Sequence, residues 1–142
     1  MEVAVVEKSF HNCLQISNMI NRHNGWRKVF SPKELMYNKA TYIAIMYEKV
    51  IIACAGVYRE SPAVSKIQHV CVLPEFRRMG AAVSMVNYIT NLCHTDYVYM
   101  TIRCDNVSSI LMALRTGFIY HGRTWSIDHW TLTFVRNIRR NI

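Results

Sequence analysis

The chain has 142 residues, 51% of them apolar and 18% charged, and a formal net charge of +8. That balance excludes a disordered or fibrous chain and leaves enough apolar material for one domain over residues 1–142. No run approaches the ~18 continuous apolar residues of a membrane span, and Met1-Glu2-Val3-Ala4 lacks the basic region and cleavage site of a signal peptide, so a cytoplasmic protein without a membrane partner is expected.

The five cysteines (13, 54, 71, 93 and 104) form no Cys-x-x-Cys pair and read as reduced thiols. The six histidines show no ligand spacing, so no metal is expected. The positive charge suits an anionic ligand, a nucleic-acid partner or solubility alone. Basic residues are scattered except over 136–140, and no basic stripe interleaved with aromatics occurs, so nucleic acid is not the expected partner.

Residues 3–7 read as a first strand. Ser9 suits the N-cap of a helix whose Phe10, Cys13, Leu14, Ser17 and Ile20 share a face, with Gly25 as its stop. Ser31-Pro32-Lys33-Glu34 makes a capping box before a short helix to about residue 39. The β-rich runs 41–47 and 50–58, joined at Glu48-Lys49, predict a hairpin, and Ser61-Pro62 turns the chain into a strand over 66–73. These three runs predict an antiparallel meander. Ala82, Met85, Val86, Ile89 and Leu92 recur at helical spacing to about His94, and 97–103 is again a strand. The intervening helix makes strands 66–73 and 97–103 a parallel pair with a right-handed crossover. Asp105 or Asn106 caps a last helix with Val107, Ile110, Leu111 and Leu114 inward, and Gly117 stops it. Runs 118–123 and 130–136 finish as antiparallel strands. The order β-α-α-β-β-β-α-β-α-β-β predicts an α/β (α+β) fold: a mixed, mostly antiparallel sheet of six or seven strands, helices on both faces.

The most informative stretch is Val70 to Ala82. An apolar strand ends at Pro74, and Arg77, Arg78 and Gly80 lead into a helix start. Free N–H groups and the helix dipole at such a start attract anions. Gly80, without a Cβ, permits close backbone approach, and two guanidinium groups suit phosphate.

Arg77-x-x-Gly80-x-Ala82, after Val72-x-Pro74, resembles the acyl-CoA signature Q/R-x-x-G-x-G/A of GNAT-type N-acetyltransferases. Asn106, followed eleven residues later by Gly117-Phe118, matches in spacing that family's second motif, N-x-x-A-x-x-x-Y-x-x-x-G-F. The element order of the chain is also the family's. The resemblance implies that strands 66–73 and 97–103 splay into a slot for acetyl-CoA. The backbone of Val70 to Val72 would pair with the pantetheine arm. Arg77, Arg78, Met79, Gly80, Ala81 and Ala82 would hold the pyrophosphate, mainly by backbone N–H groups. Asn106 would contact the pantetheine, with Ser109 in place of the motif's alanine.

The family moves an acyl group from a thioester to an amine by direct attack. A lysine-type amine is less than ~1% neutral at pH 7, so a base or water chain must take a proton. The motif's tyrosine, a proton donor for the leaving thiolate, falls on Ala113; Tyr120 and Tyr99 are the nearby alternatives. Gln68 aligns with a base position and can orient a water. His69 has a suitable pKa range, but strand alternation points it to the face opposite Gln68. His121 and His129 lie in the last hairpin, which borders the acceptor. The acceptor pocket would draw on Trp26, Tyr37, Asn38, Trp125 and Trp130. Glu34, Glu48, Glu60 and Asp128 are scattered, which disfavours a strongly cationic acceptor such as a polyamine or aminoglycoside.

The implied activity is acetyl-CoA-dependent N-acetyl transfer to an amine on a small molecule, peptide or protein, by a monomer or homodimer. The alternative, favoured by Ala113, is a non-catalytic protein of this fold that binds CoA or a macromolecular partner. Its size, basic charge and terminal strand faintly resemble acyltransferase-like proteins of tailed phages.

Overall fold

The computed structural model describes residues 2–25 and 27–139. In chain order the elements are β1 (Val3–Val5), α1 (Phe10–His23), α2 (Pro32–Tyr37), β2 (Thr41–Tyr47), β3 (Val50–Ser61) and β4 (Val64–Val72). A 3-10 turn (Pro74–Phe76) leads to α3 (Ala81–Leu92), β5 (Tyr97–Arg103), α4 (Val107–Arg115), β6 (Ile119–Ser126) and β7 (His129–Asn137). The seven strands form one sheet in the order β1-β2-β3-β4-β5-β7-β6. All its pairings are antiparallel except β4 with β5. The mixed sheet, the parallel pair and the element order agree with the sequence reading.

Strand alternation sorts the core into two layers. On one face Ile43, Ile45, Ile52 and Ile67 pack with Met85, Val86 and Ile89 of α3. On the other Tyr42, Ala44, Ile51 and Cys54 pack with Cys13, Ile16 and Ile20 of α1 and Leu35 of α2. Helices therefore cover both faces.

The helix boundaries follow local chemistry. The Ser9 hydroxyl accepts from the Asn12 N–H, and Gly25 adopts a left-handed φ of +67° just past α1. Ser31 and Glu34 form the reciprocal capping box at α2. Glu48 and Lys49, both at positive φ, close the β2–β3 hairpin as a two-residue loop of the type that matches strand twist.

Several expectations need correction. β1 is shorter than residues 3–7, α2 ends at Tyr37, and β4 runs from Val64 to Val72 instead of 66 to 73. Phe10 and Leu14 are exposed, because α1 buries the stripe of Cys13, Ile16, Ser17 and Ile20. Leu92 is likewise exposed at the end of α3. Val107, Leu111 and Leu114 of α4 face outward, while Met112 and Ala113 supply the buried stripe. No helix among the described residues is long and apolar enough to cross a membrane.

Candidate active site

β4 and β5 pair only over Val64–Tyr97, Ser65–Val98 and Lys66–Tyr99. Beyond Lys66 the strands part. At their joined end, the Ser65 and Thr95 hydroxyls hydrogen-bond at 2.8 Å in a buried position. A bulge in β4 lies just beyond the point of divergence. Cys54 pairs with Cys71 and Gly56 with Gln68, so Ala55 alone faces both His69 and Val70. His69 takes a φ of +56° to accommodate it.

The opening holds two adjoining cavities of about 520 and 490 Å³. The larger is bounded by Val70 and Val72 of β4, the Arg77–Ala82 loop, and Asn106, Ser109 and Leu111 at α4. The smaller runs between Ile67–Val70 of β4 and Met100–Arg103 of β5, and under His23–Gly25 and Arg27 at the end of α1. His23, Val70, Asn106, Ser109 and Met112 line both, so the cavities form one continuous cleft.

The loop end of the cleft combines uncapped backbone N–H groups with positive charge. Gly80 is the N-cap of α3 at φ +78°, with no side-chain cap, so the first-turn N–H groups of Ala81, Ala82 and Val83 have no intrahelical acceptor. A Cβ at Gly80 would meet no protein atom within 4 Å, so the space above this backbone is open. Arg77 donates through Nε to the Val72 carbonyl at 3.2 Å, and Arg78 sits at φ +65°. Opposite, the Asn106 side chain caps α4 by accepting from the Ser109 N–H at 3.2 Å. A group bearing phosphates and a slender polar arm fits this lining: bare N–H donors, two guanidinium groups and a glycine without protein atoms above it.

At the other end, burial and the charges of Lys28 and Lys66 lower the His69 imidazole to a pKa of about 4, so it is neutral. Its Nδ1 lies 3.3 Å from the Tyr42 hydroxyl, and its ring meets Phe30 edge-on. The Tyr42 hydroxyl also accepts from Asn38 Nδ2 at 3.1 Å, and Gln68 approaches it. The bulge thus turns Gln68 and His69 toward one tyrosine, against the expectation that alternation would separate them. Burial, and then the Arg77 charge, lower the His23 imidazole below its usual range.

Of the residues singled out from sequence, the cleft brings together Gln68, His69, Val70, Val72, Arg77, Arg78, Gly80, Ala81, Ala82, Asn106 and Ser109. Met79 is exposed beside it and lines neither cavity. Tyr120 packs edge-on against Phe134, and Trp125 against Trp130, and none of these four side chains lines either cavity. Tyr37 is exposed at the end of α2. Trp26 lies outside the described residues. Tyr99 donates to Glu60 at 2.6 Å, which with burial holds its phenol above the usual range, and it lines neither cavity. His121 and His129 also lie off the cleft; His129 pairs with Asp128 at 2.7 Å. Ala113 is fully buried in the core. His23, in the last turn of α1, lines both cavities although no motif or spacing in the sequence marks it. No cluster of three or more metal-ligating side chains occurs among the described residues.

Comparison with solved structures finds the same fold at low identity. A mutant of spermidine N-acetyltransferase from Vibrio cholerae superposes with a TM-score of 0.79 at 13% identity, covering 97% of this chain and 95% of that one. A ribosomal-protein-alanine N-acetyltransferase from Brucella melitensis gives 0.79 at 12%, covering 96% and 99%. An aminoglycoside 6'-N-acetyltransferase complexed with coenzyme A gives 0.83 at 9%, covering 100% and 99%. Among curated proteins no sequence relative matches significantly. The model of the acetyltransferase (GNAT) family matches residues 9–118, which hold both the phosphate-type loop and the Asn106 helix. The chain belongs to the GNAT acetyltransferase family.

Proposed function

We propose that the protein is an N-acetyltransferase that holds acetyl-CoA in the larger cavity and passes the acetyl group to an amine in the smaller one. The observation that carries this reading is the continuity of the two cavities at His23, Val70, Asn106, Ser109 and Met112. The donor supplies an activated thioester. The chain supplies the rest. Ala81 to Val83 and Arg77 bind the pyrophosphate, and Val70 and Val72 orient the arm that carries the thioester.

The incoming amine must lose protons. His23 serves as the proton acceptor, because it stands where the cavities meet, and burial and then the Arg77 charge favour the uncharged imidazole that can take a proton. His69, held near 4, is too weak a base to strip an ammonium, and it shapes the acceptor wall with Gln68 and Tyr42. With Ala113 buried, Ser109, which lines both cavities, is the hydroxyl we assign to hydrogen-bond the leaving thiolate. Cytoplasmic action on an amine follows from the same reading.

Thiol release from acetyl-CoA over a panel of amines tests it. Amine-dependent release, lost in His23→Gln with acetyl-CoA binding retained, is expected. Acetyl-CoA binding without release for any amine would favour the non-catalytic alternative, for which the buried Ala113 speaks.

A further inference from the structure

The acceptor cavity has one sign of charge in excess. Its ionised lining consists of Arg27, Arg103 and Asp105. Among the described residues, the charges that act on its two imidazoles are positive: Lys28, Lys66 and, when protonated, His23 act on His69, and Arg77 acts on His23. Asp105, the single carboxylate among the described lining residues, already accepts from Arg103 Nε at 3.3 Å. Asp128 also acts on Arg103, but it lies at the surface in the β6–β7 turn and pairs with His129 at 2.7 Å.

Two guanidinium groups are left with unused capacity. Arg103 offers five N–H donors, and its Nη1 is buried with no hydrogen-bond partner, a costly state for a charged donor. Arg27 makes no ion pair among the described residues. Arg103 is in the right place by strand alternation. Val98, Met100 and Ile102 of β5 point into the core, so Thr101 and Arg103 point to the opposite face, where the end of α1 arches over the cavity.

Building on the transfer reading above, we propose that the acceptor is a small amine that also carries an anionic group, a carboxylate or phosphate, bound by Arg103 and Arg27. A polycation would be repelled by this lining, whereas an amine with an acidic substituent brings the charge the cavity lacks. The same cations lower the pKa of an amine bound among them, which favours its nucleophilic neutral form. A volume of about 490 Å³ suits a small molecule. In the transfer, the neutral amine nitrogen forms a bond to the acetyl carbon, and the carbon–sulfur bond breaks with the electron pair leaving on sulfur as thiolate. The proton that the nitrogen loses passes to His23, which returns it to the thiolate to give the free thiol. The anionic substituent stays outside the reacting bonds.

The experiment measures thiol release with matched pairs: an amino acid and its carboxamide, an amino sugar and its phosphate ester, with spermidine as the polycation. The anionic member of at least one pair should have a kcat/KM higher by about tenfold or more, and the pair that shows it distinguishes carboxylate from phosphate. Arg103→Gln and Arg27→Gln, each checked for folding by melting with acetyl-CoA, should raise KM for the anionic member several-fold more than for its neutral counterpart, so that the preference within the pair shrinks. Preference for neutral or cationic amines, no turnover of any anionic amine, or a preference intact in both variants overturns the inference while transfer itself stands. Absence of any acetyl-CoA effect on melting overturns the transfer reading, and this inference with it.

Discussion

The phenol of Tyr42 and the imidazole of His69 lie parallel, 1° apart in plane, with the hydroxyl 3.3 Å from Nδ1. The pair joins the α1–α2 core layer to the wall of the cleft. Gly56 makes it possible. A Cβ there would come within 2.8 Å of the Tyr42 ring. Tyr42 is 1% exposed and cannot swing away, so Gly56→Ala should destabilise the fold by ~1–3 kcal/mol. Tyr42→Phe, which keeps the packing and removes the acceptor for Asn38, should cost only ~1 kcal/mol. Urea unfolding of the two variants checks the order.

The depressed His69 pKa makes stability depend on pH with a definite sign. Its folded value of about 4 lies below the ordinary 6.5 of the unfolded chain. The unfolded state therefore binds the extra proton first. The stabilisation is complete above about pH 6.5 and is lost as pH falls toward about 4. The full difference would be worth at most ~3 kcal/mol; partial solvent access to the ring brings the expected loss to ~1–2 kcal/mol. His23, shifted in the same direction, adds to the slope. Urea unfolding at about pH 7 and about pH 4.5 should show the loss, and His69→Gln should flatten it.

Asn106 has two duties that one control separates. As N-cap it accepts from the Ser109 N–H, and it also lines both cavities. Asn106→Ala should cost ~1 kcal/mol of stability and weaken acetyl-CoA binding. Ser9 makes the equivalent capping bond, 3.1 Å to the Asn12 N–H, at the far end of α1. Ser9→Ala should cost about the same stability and leave acetyl-CoA binding unchanged. Chemical denaturation and calorimetric titration of both variants measure the two effects.

What the chain discloses before folding is local. The capping box at Ser31, the Gly117 stop and the Arg77–Ala82 loop each lie within a few residues, so their chemistry is readable along the sequence. The β4 bulge is not, because it arises from register between β3 and β4 and depends on which residue Ala55 faces. That one irregularity reversed the expected orientation of His69 relative to Gln68. Apolar residues of α4 misled for a related reason. Leu111 is half exposed because it borders the larger cavity, and a helix next to a cleft needs apolar residues on more than its core stripe. His23 became visible only when the end of α1 was placed over the gap between β4 and β5.

The last prediction concerns Gly80. Its φ of +78° is costly for any residue with a Cβ, and the open space above it is the proposed pyrophosphate seat. Gly80→Ala should lower stability by ~1–2 kcal/mol through backbone strain, a loss that urea unfolding measures. Gly80→Glu should in addition place a negative charge in that seat. Calorimetric titration of the native protein with acetyl-CoA, repeated on Gly80→Glu, is the decisive comparison. Native protein should give saturable one-to-one binding and, at about 100 times Kd, ~2.7 kcal/mol of added stability, while Gly80→Glu gives neither. Absence of binding to the native protein, or undiminished binding to the variant, would contradict the assignment of this loop as the phosphate seat.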